Sequence, residues 1–171
     1  MNFQSKPLID RSFARTLRGA AVGLSLLVTA GAAQATESPF TILSGSWSGP
    51  GVITMASGTR ENIRCRATYT VDRAGHSLNI ALRCASDSYK FNLQSSVSHT
   101  NGTVSGSWNE STYGVGGTIS GNGTPGRIQV RAEGPFSALL AMNTRADRQS
   151  ISIRSPGSPL SDVAISLSRG K

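Results

Sequence analysis

Hydrophobic and polar residues alternate along most of this chain from residue 43 to its end, in short runs separated by Gly, Ser, Asn and Pro. Strict alternation places apolar side chains on one face of a strand, because successive side chains point to opposite sides. Turn signals recur about every ten to twelve residues, the spacing of an all-β sandwich or barrel. Nothing beyond residue 36 has helical periodicity. Strands are expected near 43–56, 61–72, 77–85, 89–99, 104–108, 113–120, 127–133, 136–143, 149–155 and 162–168. Loops are expected at 121–126, 144–148 and 156–161, and Asn101-Gly102 is a type I′ hairpin turn.

Two cysteines sharpen this pattern. Folding the chain about residues 73–76 sets Val71 against Leu78, Tyr69 against Ile80, Ala67 against Leu82 and Cys65 against Cys84. All eight fall on one face, and a one-residue slip would lose both the apolar face and the cysteine pairing. A Cys65–Cys84 cross-strand disulfide is therefore expected. The opposite face is polar and carries Arg64, Arg66, Arg83, Lys90, Gln94, Arg127, Arg131 and Arg154. A sheet oily on one side and wet on the other closes around a core.

The expected fold is an antiparallel up-and-down meander of about ten strands forming a single barrel. An even count lets the last strand pair antiparallel with the first and removes both edges. Were Gly49-Pro50-Gly51 a true turn, there would be eleven strands, and closure would be less natural; a two-sheet sandwich is the alternative. An outer-membrane barrel is disfavoured, since such barrels turn apolar residues and aromatic girdles outward.

The N-terminus has a different grammar. Lys6, Arg11, Arg15 and Arg18 precede an apolar run over 19–32 and a small-x-small site, Ala33-Gln34-Ala35. That is the layout of a secretory signal peptide, with residues 1–35 removed and one domain over 36–171. The run is short for a membrane span of about 20 residues. Export to the periplasm or outside the cell also suits the disulfide. Beyond residue 35 the chain keeps 13 basic and eight acidic residues, 11 of the bases being arginine. No Lys/Arg run or basic helix interleaved with aromatics accompanies this bias, so nucleic acid is not an expected partner.

Ser44-Gly45-Ser46-Trp47 returns as Ser105-Gly106-Ser107-Trp108, 61 residues on, which reads as a duplication or as a glycine–tryptophan packing device. Gly45-Ser46-Trp47 resembles the Gly-x-Trp of the calycins, the lipocalin and avidin superfamily. The resemblance implies a meander barrel, a small apolar ligand inside it, and a late arginine, here Arg169, stacked on the tryptophan. The C-terminal helix of lipocalins has no counterpart in this sequence.

Chemistry is sparse. No Gly-x-Ser-x-Gly, CxxC or HxxxH spacing occurs, and no acid pair is placed for glycoside chemistry, so neither enzyme, metal nor cofactor is expected. His76 and His99 fall in loops at one end and are expected to be solvated. Inward small residues leave interior volume, which a ligand or neighbouring side chains fill. Tyr69, Phe91, Ser95, Gly106, Trp108 and Gly117 are the candidate cavity residues; Gly106 and Gly117 are expected to be neighbours. Arg64, Arg66 and Arg83 form a candidate surface anion patch, because like charges facing across strands repel unless an anion joins them. The expected function is an exported binding protein with an apolar ligand inside. The alternative is a surface binder or inhibitor that engages an anionic envelope polymer or a protein through the arginines or through loops carrying Glu110 and Tyr113.

Overall fold

The computed structural model describes residues 37–171; the expected signal segment and its cleavage site at Ala35 lie outside the described residues. Ten strands follow in chain order: β1 (Gly45–Met55), β2 (Arg60–Val71), β3 (Ser77–Ala85), β4 (Lys90–Thr100), β5 (Thr103–Glu110), β6 (Val115–Thr124), β7 (Arg127–Glu133), β8 (Ala138–Arg145), β9 (Arg148–Arg154) and β10 (Leu160–Arg169). Each pairs antiparallel with its neighbours in sequence, and β1 pairs with β10 to close the barrel.

The β2–β3 register is the one demanded by the apolar pattern, with Cys65 opposite Cys84 and Tyr69 opposite Ile80. The two cysteines form a disulfide with Cα atoms 4.1 Å apart. Asn101 and Gly102 both take positive φ, 49° and 85°, as a two-residue hairpin requires.

Gly49-Pro50-Gly51 is strand and not turn, so there are ten strands. The β10 backbone passes so close that a Cβ on Gly49 would lie 2.0 Å from the Ser166 carbonyl oxygen. Pro50 lacks the N–H a ladder needs, and the paired positions with β10 skip from Ser48 to Gly51. The expected loop at 121–126 is likewise mostly strand, with the turn confined to Pro125-Gly126. Its glycines serve close approach: a Cβ on Gly121 would meet the Gln129 carbonyl oxygen at 2.3 Å. At 144–148 the strands also run on, leaving Ala146-Asp147 as the turn.

The two Ser-Gly-Ser-Trp copies stand at different heights. Trp47 starts β1 at one end of the barrel, whereas Trp108 closes β5 toward the other. Trp47 is fully buried and donates its indole N–H to the Leu43 carbonyl at 2.8 Å. Arg169 stacks on its ring with the guanidinium 4.3 Å from the centroid, donates to the carbonyls of Ser44 and Ile42, and lies 3.5 Å from the Asp147 carboxylate. Preceding β1, Pro39, Phe40 and Leu43 are buried and plug the same end. His99 is buried there at 3% exposure, against the expectation of a solvated loop. It packs edge-on to Phe40, ring centroids 6.0 Å apart, and accepts the Gly102 N–H on Nε2 at 3.0 Å.

Candidate ligand-binding cavity

The barrel interior divides into a filled half and an open half. Near the plugged end Trp47, Tyr69, Leu78, Val104 and Leu167 are each no more than 2% exposed. Toward the other end the inward side chains of Met55, Phe91, Leu93, Leu140 and Ile153 are only half-buried. They surround a cavity of about 500 Å³. Its floor is Tyr69, Met142 and Ile151; its walls are Ile80, Leu82, Trp108, Ile119 and Val163; its mouth is formed by the loops that carry Tyr89, Tyr113, Phe136 and Pro159. At interior packing density that volume holds on the order of 20 non-hydrogen atoms.

The polar groups deepest in the cavity are already committed. Tyr69 donates its hydroxyl to Gln149 Oε1 at 2.7 Å, and Gln149 donates to Thr144 Oγ1 at 3.1 Å. Burial pushes the Tyr69 phenol well above its ordinary pKa, which the Gln149 bond only partly offsets, so it stays a neutral donor. Glu110 is fully buried. Burial alone would raise its pKa, but the backbone N–H groups of Asn92, Tyr113 and Thr112, with the Thr112 hydroxyl, outweigh that and leave it lowered. Three of these bonds measure 2.7, 2.7 and 3.0 Å. The carboxylate thus pins the β5–β6 turn over the mouth, where Tyr113 meets Phe91 edge-on with centroids 6.3 Å apart. Glu110 is therefore turned inward and does not face an outside partner, contrary to one sequence expectation.

Of the six candidate cavity residues, Tyr69, Phe91 and Trp108 line the cavity, and Ser95, Gly106 and Gly117 do not. The glycines fail for a physical reason. The volume they leave is taken by neighbouring backbone: a Cβ would sit 2.1 Å from the Ser96 carbonyl oxygen at Gly106 and 1.7 Å from that of Glu133 at Gly117. Nor are the two glycines partners; Gly106 pairs with Ile119 and Gly117 with Trp108. Ser95 is buried with its hydroxyl donating to the Ser107 carbonyl at 2.8 Å. Phe136, expected to begin a strand over 136–143, stands in the loop before β8, and Pro159 stands in the loop before β10, where no periodic signal marks it.

On the outer wall, Arg66 is directly opposite Arg83, and Arg64 is on the same face two rungs away. They border a groove of about 1050 Å³ whose floor is made of small residues, Ser48, Pro50, Ala85, Ala164 and Ser166. Among the described residues the ion pairs are Arg131–Glu133, Arg154–Asp162 and Arg169–Asp147, and none involves this patch. Glu61, on the same strand as Arg64 and Arg66, accepts the Ser88 N–H at 3.2 Å. Among the described residues no cluster of His, Cys, Asp and Glu is arranged to hold a metal, and no helix is long and apolar enough to cross a membrane.

A closed antiparallel barrel, plugged at the Gly-x-Trp end and hollow at the other, has the lipocalin-like build of the calycins. Solved structures share that fold. Rv2717c from M. tuberculosis superposes with a TM-score of 0.60 at 16% identity, over 77% of this chain and 94% of that one. The S-type phycobiliprotein lyase CPES from Guillardia theta superposes with a TM-score of 0.53 at 12% identity, over 77% of this chain and 90% of that one. The sequence matches no protein-family model and no curated protein.

Proposed function

We propose that this protein is a carrier that holds a small, predominantly apolar molecule in the open half of its barrel. The observation that carries the reading is the cavity of about 500 Å³, walled by aliphatic and aromatic side chains whose few polar neighbours are already hydrogen-bonded. Such a site gains its affinity from burying apolar surface, about 25 cal/mol per Å². It offers a polar head group no free partner at depth, so any polar end of the ligand stays at the mouth beside Tyr89, Ser155 and Ser158. The barrel it shares with a phycobiliprotein lyase is compatible with a binding role. The reading is non-enzymatic, because Tyr69, Glu110 and His99, the buried titratable side chains, all serve the scaffold. Export to the periplasm or beyond is part of the proposal and is supported by the disulfide.

Native mass spectrometry of protein purified from its own host should show an apolar adduct that organic extraction removes. Extracted protein should then take up an environment-sensitive naphthalene probe with one-to-one stoichiometry. Absence of both adduct and uptake overturns the carrier reading.

A further inference from the structure

We propose that the outer wall formed by β10 and β1 to β4 is a second binding site, for an anionic glycan. This wall holds an arrangement of charges that is unfavourable unless a ligand joins it. Arg66 and Arg83 face each other across neighbouring strands, with Arg64 diagonal to the pair. Like charges directly opposite destabilise a ladder. All three are exposed, and no carboxylate pairs with them among the described residues.

The sheet is reinforced just where the repulsion acts. The Cys65–Cys84 disulfide occupies the rung between Arg64–Ala85 and Arg66–Arg83, on the inward face. A covalent tie at that rung keeps β2 and β3 in register against the charge above it. Three guanidinium forks are thereby held on a fixed lattice, and forks of this kind bind carboxylate, sulfate or phosphate oxygens in pairs.

The shape selects among anions. Lys90, opposite Ala85, places a further cation two strands from Arg64, roughly 10 Å away. The groove of about 1050 Å³ is far larger than one anionic group needs, so the ligand is extended and carries repeated charges. Asn62, Asn92, Ser48 and Ser166 line the same groove with amides and hydroxyls. Those groups match the hydroxyls of a sugar ring between its charges. A bilayer surface is flat and would touch only the tips of the arginines. No aromatic ring lines the groove, so nucleobases would find no stacking platform.

The test uses the whole protein and three defined probes in calorimetric titration: an oligogalacturonate, a heparin octasaccharide and a neutral galactan. Vesicles containing phosphatidylglycerol form a fourth arm. The expected result is binding of one or both charged glycans that weakens as salt rises, with none to the galactan. Arg64→Ser, Arg66→Ser and Arg83→Ser together should weaken it at least tenfold. The triple variant should melt no lower than the parent, since it removes repulsion, and should still take up the interior probe. Replacing the three by Lys keeps the charge but loses the forks, and should give an intermediate loss. Binding of neither charged glycan, equal binding of the galactan, an unaffected triple serine variant, or preference for the vesicles overturns the proposal. None of those outcomes touches the interior site, whose own test is independent.

Discussion

Ala132→Phe separates a hollow barrel from a packed one by the sign of a stability change. Ala132 pairs with Ala138 on β8 and Ile119 on β6, and both alanines line the cavity. Fully burying a Phe side chain is worth about 1.5–3 kcal/mol. The surrounding wall is half-exposed, so roughly half of that is available, about 1 kcal/mol in favour of the variant. Were the interior filled, the added ring would overpack it and cost about 1–3 kcal/mol. The two readings thus lie at least about 2 kcal/mol apart, which urea denaturation of extracted protein resolves. On heating, the hollow barrel should gain about 3 °C in Tm, and the packed one should lose at least as much. The ring also removes ligand volume, so uptake of the naphthalene probe should fall at least tenfold. A variant that melts lower and binds the probe as before would refute the cavity.

Gly117→Ala should do the reverse, because its Cβ would press on the Glu133 carbonyl and not on empty space; a loss of about 2–3 kcal/mol in urea denaturation is expected, and neutrality would show that β6 and β7 are less tightly apposed. Replacing Cys65 and Cys84 with Ala should cost about 3 kcal/mol through the freed loop, and should cost less where Arg66 and Arg83 are already Ser; equal losses would uncouple the disulfide from the charge pair. For pH, His99 is held below its ordinary pKa by burial and then by His76. The folded state therefore prefers neutral His99, and that preference is lost as pH falls below about 6.5 through the lower folded value. Glu110 is also lowered, so its contribution disappears only as pH falls further, below the ordinary carboxylate range. Denaturant midpoints should therefore drop in two stages on acidification. His99→Gln, whose side-chain oxygen can still accept the Gly102 N–H, should abolish the first stage; its persistence would move the effect elsewhere.

Period-two alternation was enough to derive about ten strands, the β2–β3 register and the disulfide, because every pairing of the closed meander except β1–β10 is a local hairpin, short-range in sequence. The Gly-x-Trp resemblance also placed Arg169 on Trp47 correctly, a contact between the two ends of the domain. What alternation could not convey was the direction of glycine. At Gly106 and Gly117 the missing side chain makes room for an adjacent strand, and at Gly121 it does the same where a loop was expected. Whether an inward glycine leaves space or lets backbone into it depends on barrel curvature, which no local pattern encodes. The plug was missed for a related reason. Pro39 and Phe40 show no period, and Leu43, expected to begin the first strand, stands in the turn before β1; all three are buried at the barrel end and not along its wall. His99 then looked like a loop residue, since the side chain that covers it, Phe40, is 59 positions away in sequence.

The plug also accounts for where the cavity is. Phe40, Leu43 and Trp47 fill the end at which β1 begins, and the stacked Arg169 with its carbonyl and Asp147 contacts ties the last strand over them. The turns there carry charge, at Asp72, Arg73 and Asp147, whereas Asp87 is the one charged residue in the five loops around the mouth. Tyr113 and Phe136 are each about half exposed at that mouth. An apolar ligand would cover the half-buried wall and part of these rings, so the rim becomes more ordered as the site fills. A charged base and an aromatic mouth with a single charged loop residue would give an interior ligand one direction of entry, and the basic groove on the flank lies outside that path. The two proposed sites can therefore be occupied at once, which makes simultaneous titration of probe and glycan expected to be additive.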